Sequence, residues 1–342
     1  MRVLITGNQG YLGTVTAEVF CDAGHEVTGL DTGLFAGCVV GRGPLDPPTL
    51  ATDLRDVTAS DLTGFDAVVH LAALPVPPRD AAVRDITGHV NHLATVRLAR
   101  AAKAAGVGRF LFASTCSVYG TRRDEPVNES AALHPCNPYA QSKARAEEEL
   151  AGLAEPGFVP VFLRLATAFG FSPRLRSDML LNHMVGDAVF TGRVQAPAGE
   201  DTRWPMVHVR DAADAFLLCL TARPEVVDCA AFNVGSEAAT MSGAEIARTV
   251  VEEIAGAMLG PTGTDPSSPR PCRVGFEAIR RAVGFEARWG IADGVVELHR
   301  AYAESGLDAE TFFSRFSRRN HLSTMRETEE LNDEIRRQEA LV

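Results

Sequence analysis

Thr6-Gly7-Asn8-Gln9-Gly10-Tyr11-Leu12-Gly13 stands directly behind the apolar run Val3-Leu4-Ile5, and its reading decides the fold. Arg2 to Thr6 reads as a buried parallel strand. From Thr14 onward, Val15, Ala17, Val19 and Phe20 are apolar and Gly24 punctuates the end, which reads as a helix. Between the two, Gly7 permits a tight turn and Gly10 lets the backbone approach a pyrophosphate. Gly13 lets helix and strand pack closely, while the helix N-terminus offers free N–H groups and a positive dipole end. The glycines alone also fit an ordinary βα loop. The following strand, Glu26 to Leu30, ends in Asp31, where a carboxylate would accept from a ribose 2′-OH. A carboxylate there repels a 2′-phosphate, and no Arg or Lys lies between Asp31 and Gly41 to receive one. NAD is therefore expected rather than NADP.

A second segment, Tyr139-Ala140-Gln141-Ser142-Lys143, follows Pro138, a residue suited to the first turn of a helix. Positions i and i+4 share a face, so the phenol and the ammonium can meet one ribose and one substrate hydroxyl. A free Tyr has a pKa of about 10 and is a poor base at neutral pH. A neighbouring Lys and a nicotinamide cation both favour the phenolate. Alone, the spacing also describes a surface Tyr beside a solvated Lys.

The 342 residues can bury a full core, as one large domain or two interleaved ones. With 46% hydrophobic and 23% charged residues, the chain has the composition of a soluble globular protein. A net charge of −11 argues against a nucleic-acid surface yet leaves room for a local basic pocket. The cysteines (21, 38, 116, 136, 219, 229, 272) form no C-x-x-C pair, so reduced thiols in the cytoplasm are expected, with no disulfide framework and no metal site. Met1 leads straight into strand-forming residues, so no signal peptide is expected, and no apolar run approaches ~18 residues, so no membrane span is expected.

Strand and helix patterns alternate along the chain. Asp66 to Ala73, Arg109 to Ser114, Val159 to Leu165, Met206 to Val209 and Phe232 to Val234 read as strands, and 88–106 as an Ala-rich helix. Such alternation predicts an α/β fold, a Rossmann-type doubly wound parallel sheet with helices on both faces. The expected division is a nucleotide-binding domain over 1–170, completed by 206–235, with a smaller interleaved substrate region over 171–205 and 236–300. The stretch 260–271 reads as a turn-rich loop, and 301–342 as a solvated helical tail with a few apolar anchors.

These residues reach a family. The chain resembles the extended short-chain dehydrogenase/reductases, in particular the NAD-dependent nucleotide-sugar epimerase/dehydratase group, typified by UDP-galactose 4-epimerases. The resemblance is carried by TGNQGYLG (6–13), LD (30–31), DLRD (53–56), HLAAL (70–74), Asn91, STCSVYG (114–120), YAQSK (139–143), LRLATAFG (163–170), HVRDAADA (208–215) and FNVG (232–235). It implies NAD contacts from Gly7, Gly10, Tyr11, Leu12, Gly13, Asp31, Asp53, Leu54, Leu71, Ala72, Ala73, Asn91, Tyr139, Lys143 and Ala166. It implies Tyr139 as base, Lys143 as its electrostatic partner and ribose ligand, and Thr115 as the hydroxyl that holds a substrate oxygen. A Thr closing a strand is also simply a capped strand end. The resemblance further implies a homodimer, in which the helices at 88–106 and 138–155 pair with their copies.

The subfamily is read at Ser114-Thr115-Cys116-Ser117-Val118-Tyr119-Gly120. Dehydratases of the group resemble S-T-D-E-V-Y-G here, with an Asp acid and a Glu base, and decarboxylases carry Glu where this chain has Ser117. Cys116 and Ser117 supply neither carboxylate. What remains resembles the 4-epimerases, which need only Tyr, Lys and a small hydroxyl. Alternatives are a nucleotide-sugar 4-reductase or dehydrogenase with net redox, a C3/C5 epimerase using Cys116, and a non-catalytic NAD or nucleotide-sugar binding module. Cys116 also reads as a packed strand-end thiol.

For the substrate, Arg270 fits the family's diphosphate-gripping Arg, although the Asp usual two residues earlier is Ser268. Arg203 stands one position early for a second phosphate Arg. A one-residue bulge would restore it; without one, Trp204 is expected to line the pocket. Thr115, Cys116, Ser117, Tyr139, Thr167 and Asn182 complete the expected substrate contacts.

Overall fold

The computed structural model describes residues 1–74, 86–121, 125–198, 202–263 and 271–338. Strands β1 (Arg2–Thr6), β2 (Glu26–Leu30), β3 (Thr49–Leu50), β4 (Ala67–His70), β5 (Arg109–Thr115) and β6 (Val159–Leu165) build one parallel sheet. β7 (Thr167–Phe169), β8 (Arg193–Val194) and β9 (Arg203–His208) follow outside it. The main sheet is completed by β10 (Ala231–Val234), which pairs with β6, giving the order β10-β6-β5-β4-β1-β2-β3. β11 (Ser236–Ser242) joins β9 and β7 in a three-stranded sheet, and β12 (Met258–Leu259) pairs with β8.

Alternation along each strand sends side chains to two cores. Val3, Ile5, Val69 and Leu111 face one side, where α1 (Tyr11–Asp22) packs. Leu4, Val68, Phe110 and Phe112 face the other, against α2 (Thr95–Ala104) and α3 (Pro138–Ala151). The strand order reverses between β1 and β4, so their carboxyl ends open a crevice where such sheets bind ligands.

A third core lies beyond the main sheet, in the region expected to hold substrate. α4 (Leu180–Thr191) gives it Leu181, Met184 and Val185, β9 gives Trp204 and Met206, and Ile246 and Leu298 close it. α5 (Val209–Thr221) packs beside α1. Beyond it come α6 (Pro224–Val227), α7 (Gly243–Glu253), α8 (Glu277–Val283) and α9 (Ile291–Glu304).

The C-terminal segment corrects the expectation of a solvated tail. α10 (Ala309–Phe313) and α11 (Arg318–Glu327) are docked on the body of the protein. Phe312 and Phe316 enter the substrate-side core. Leu322, Met325, Leu331 and Ile335 form a separate cluster with Leu74 and Ile86, with Leu34, Phe35 and Val90 packed against it. The mixed charges hid this docking, because the few apolar anchors are spaced over a helix and an irregular strap rather than along one face. Among the described residues, no helix is long and apolar enough to cross a membrane.

Candidate active site

A cleft of about 460 Å3 opens above the carboxyl ends of β1, β4, β5 and β6, within the roughly 300–1,000 Å3 of small-molecule sites. Its floor is the glycine turn. Gly7 holds φ +74°, and a Cβ there would lie 2.8 Å from the Ala72 nitrogen. A Cβ on Gly13 would fall 1.9 Å from the Gly7 carbonyl oxygen. Both positions therefore require glycine for close backbone approach. Gly10 caps α1 in extended conformation with no side-chain cap among the described residues, which leaves first-turn N–H groups available to an anion.

Asp31 stands at the end of β2 and lines the cleft. Its carboxylate accepts from the Gln9 and Gly33 amides at 3.0 and 2.8 Å. Burial raises its pKa, and the two amides oppose that shift. Asp53 and Leu54 also line the cleft. Burial works to raise Asp53, but hydrogen bonds from Arg55 outweigh it and hold the carboxyl below its ordinary value. Leu71, Ala72, Ala73 and Ala166 complete the predicted cofactor wall. These features fit a dinucleotide: a glycine turn with close backbone approach, uncapped first-turn amides and a carboxylate at the end of β2.

The predicted reacting groups converge on the same cleft. Thr115, Cys116, Ser117, Tyr139, Lys143 and Thr167 all line it. The helix bearing Tyr139 starts at Asn137, whose side chain accepts from the Ala140 amide, with Pro138 in the first turn. Thr115 closes β5 and accepts from the Ser117 amide at 3.1 Å. Lys143 is 1% exposed, donates to the Ala113 carbonyl at 2.7 Å, and burial pushes it down to about 7. Burial raises the Tyr139 phenol, and the positive charge of Arg176 opposes that rise. Cys116 donates to the Arg164 carbonyl at 3.1 Å, and burial raises its thiol well above the ordinary range.

A buried polar network braces these groups from below. Arg164 on β6 forms a two-pronged ion pair with Glu147 on α3, with Nη2–Oε2 at 2.6 Å. Ser114 donates to Glu147, Arg164 donates to the Tyr119 hydroxyl, and Tyr119 donates to Asn233 on β10. One network thus ties β5, β6, β10 and the catalytic-motif helix together.

Several expected contacts lie elsewhere. Asn91 does not line the cleft; its side chain accepts from the Leu74 amide and donates to the Leu74 carbonyl, shaping the loop after β4. Asn182 is fully buried, where it accepts from the Gly170 amide and donates to the Arg176 carbonyl. Arg203 does not line the cleft and pairs with Glu245 at 2.9 Å. No bulge rescues it, because the irregularity of that ladder lies in β11 between Ser236 and Met241. Trp204 does not replace it, being buried in the substrate-side core; Pro205 lines the cleft instead. Arg270 lies outside the described residues.

Besides Arg55, which holds Asp53, two guanidinium groups in the cleft escaped sequence reasoning. Arg176 lines it beside Tyr139 and is held by Asp178 at 3.0 Å. Arg318, from α11, lines it near Asp31 and Phe35. Arg176-Ser177-Asp178, just ahead of a helix, carried a legible signal in its paired charges, whereas Arg318 sits in an unpatterned basic run.

A family model described as the NAD dependent epimerase/dehydratase family matches residues 3–235. The chain belongs to this family. A UDP-glucose 4-epimerase of Azospirillum brasilense is 30% identical over 322 residues, covering 86% of this chain and 90% of that protein. The UDP-glucose 4-epimerase of Mycolicibacterium smegmatis is 28% identical over 314 residues, covering 87% and 97%. Among solved structures, MoeE5 in complex with UDP-glucuronic acid and NAD is 25% identical with a TM-score of 0.76, covering 89% of this chain and 100% of that one. TunA, an NAD-dependent NDP-hexosamine 5,6-dehydratase, shares the fold at 23% identity and a TM-score of 0.78. The chain is thus an NAD-dependent enzyme of the nucleotide-sugar epimerase/dehydratase group.

Proposed function

We propose that this protein inverts C4 of a nucleotide-diphosphate sugar through a transient 4-keto sugar, with Tyr139 as base. The observation that carries this reading is the chemistry of the cleft around Tyr139. It holds a phenol, a buried Lys and a Thr hydroxyl, while Cys116 and Ser117 stand where the family's dehydratases carry an acid and a base. NAD, held by the glycine turn and Asp31, would supply reversible hydride acceptance at this cleft. Thr115 orients the substrate oxygen, and Tyr139 takes the 4-hydroxyl proton as the carbonyl forms. The same phenol gives the proton back when the alcohol re-forms on the other face. Lys143 holds a ribose hydroxyl and stabilises the phenolate.

A raised thiol pKa and a hydrogen bond to a backbone carbonyl leave Cys116 a packing role rather than a C3/C5 acid–base role. Small residues on α2 and α3, among them Ala101 and Ala144, support a homodimer built on these two helices.

The test is incubation of the purified protein with a panel of nucleotide-diphosphate sugars, followed by proton NMR of the products. We expect a C4 epimer to form without added NADH and with no lasting absorbance change at 340 nm. Stoichiometric NADH accumulation, or loss of water from the sugar, would overturn the reading.

A further inference from the structure

Arg318 is the first residue of α11, on the segment that lies beyond the 3–235 match to the family. It is only 2% exposed, yet it lines the cleft. Its Cζ sits 4.2 Å from the centroid of the Phe35 ring, a cation–π contact. Nη2 donates to the Arg174 carbonyl at 3.2 Å. Nη1 is buried and, among the described residues, meets no hydrogen-bond partner. Burial pushes this guanidinium down to about 10, and nearby Arg176 adds to the shift. A buried cation with an unused donor is an expensive feature for a fold to keep. Its surroundings show what it faces. Phe35 belongs to the loop that follows Asp31, and Arg174 beside it donates to Thr14 in the first turns of α1.

The segment carrying Arg318 is fastened to that loop at several points. His321 contacts the Leu34 carbonyl at 3.0 Å, and Arg337 donates to the Gly33 carbonyl at 2.8 Å. Arg336 pairs with Asp56, and Ile335 reaches the cleft wall next to Asp53 and Arg55. The C-terminal segment therefore walls the side of the cleft where Asp31 stands.

We infer that Arg318 is a binding residue for the pyrophosphate of the dinucleotide, acting with the uncapped N-terminus of α1, so that the C-terminal segment latches the cofactor in place. A pyrophosphate held at the glycine turn and the α1 N-terminus would bring two negative charges into this part of the cleft. A guanidinium supplied from above meets them with charge-assisted hydrogen bonds. The diphosphate of a nucleotide sugar offers the same chemistry, but the placement beside Phe35, four residues after Asp31, favours the cofactor. The inference concerns the cofactor alone and is independent of which sugar carbon reacts.

The experiment compares wild type with Arg318→Met and Arg318→Lys. ADP-ribose and NADH dissociation constants are measured on cofactor-stripped protein, together with ligand-free melting temperature. UDP affinity is measured on NAD-loaded protein. We expect Arg318→Met to weaken ADP-ribose and NADH by about 10- to 100-fold, with Arg318→Lys in between. The ligand-free melting temperature should be unchanged or higher, since an unpaired buried charge is removed. UDP affinity should be retained. Unchanged ADP-ribose affinity would overturn the inference. So would a parallel loss of melting temperature and affinity in both variants, which marks a structural role. Loss confined to UDP would assign the guanidinium to the substrate. If Arg318→Met does not fold, Arg318→Lys decides alone, by weaker ADP-ribose binding at unchanged melting temperature or by no change.

Discussion

The Lys143 ammonium donates to the Ala113 carbonyl at 2.7 Å, while its nitrogen lies 5.8 Å from the centroid of the Tyr139 ring. Lys143 is thus anchored to the end of β5 with its nitrogen over the Tyr139 ring. Its pKa, lowered by burial to about 7 from 10.5, makes the ligand-free fold sensitive to pH. Between those two values the unfolded chain holds a proton that the folded protein does not, so this group adds stability as pH rises from 7 towards 10. The penalty is fully present below about 7. Lys143→Met removes it, so its melting temperature relative to wild type should be most favourable near pH 6. That relative advantage should shrink by the equivalent of ~3–5 kcal/mol by pH 10. Parallel melting curves at both pH values would refute this. With NAD present, the same variant should lose turnover and cofactor affinity together.

Tyr139→Phe keeps the ring and removes the proton acceptor. Fold and NAD binding should survive, and turnover should fall by ~10²–10⁴-fold. Because the Arg176 charge opposes the burial-driven rise of the phenol, Arg176→Met should move the rising limb of kcat, where the phenol deprotonates, to higher pH. Turnover near wild type for Tyr139→Phe, or an unmoved transition for Arg176→Met, would exclude these roles.

The fold and the cleft-lining positions at the glycine turn, Asp31, Tyr139 and Lys143 were legible because their signals are local. A glycine turn, a strand-end carboxylate and a Tyr and Lys on one helix face each lie within a few residues, and the backbone itself fixes where they point. The basic groups were not legible, because a guanidinium on a long side chain reaches its target from any element that passes nearby. Arg203 had the right sequence neighbourhood and turned to Glu245. Arg318 had no sequence signal and entered the cleft because apolar anchors at Leu322, Met325, Leu331 and Ile335 dock its segment.

Asp31→Ala should weaken NAD and narrow the preference over NADP, since it removes both a ribose acceptor and the charge that repels a 2′-phosphate. Titration of both cofactors checks it. A wild type that prefers NADP would defeat the assignment.

Glu147 and Arg164 form a buried ion pair whose partners span α3 and β6. Replacing one member leaves the other charge buried and unpaired, so Glu147→Gln should destabilise the protein by about 3–5 kcal/mol in urea titrations. Turnover of the folded fraction should fall as well, because Ser114, next to Thr115, also donates to this carboxylate. A loss below about 1 kcal/mol would show that the network is not a brace.

Arg203 supplies the sharpest test of the corrected substrate site. The family pattern places a phosphate-gripping Arg near this position, whereas here the side chain is 40% exposed and paired with Glu245, itself 35% exposed. Exposed pairs of this kind contribute roughly 0–1 kcal/mol. Arg203→Ala should therefore leave KM for any accepted nucleotide sugar within about two-fold of wild type, with melting temperature almost unchanged. Arg176, which lines the cleft, should behave differently. Its truncation removes a cation from the chamber that holds Tyr139 and Thr115, so KM should rise by about ten-fold or more if that charge meets a substrate anion. Steady-state kinetics on the two variants side by side separates the readings. A large KM effect at Arg203 with none at Arg176 would return the diphosphate grip to the family's usual position and require the β9 end to rearrange when substrate binds.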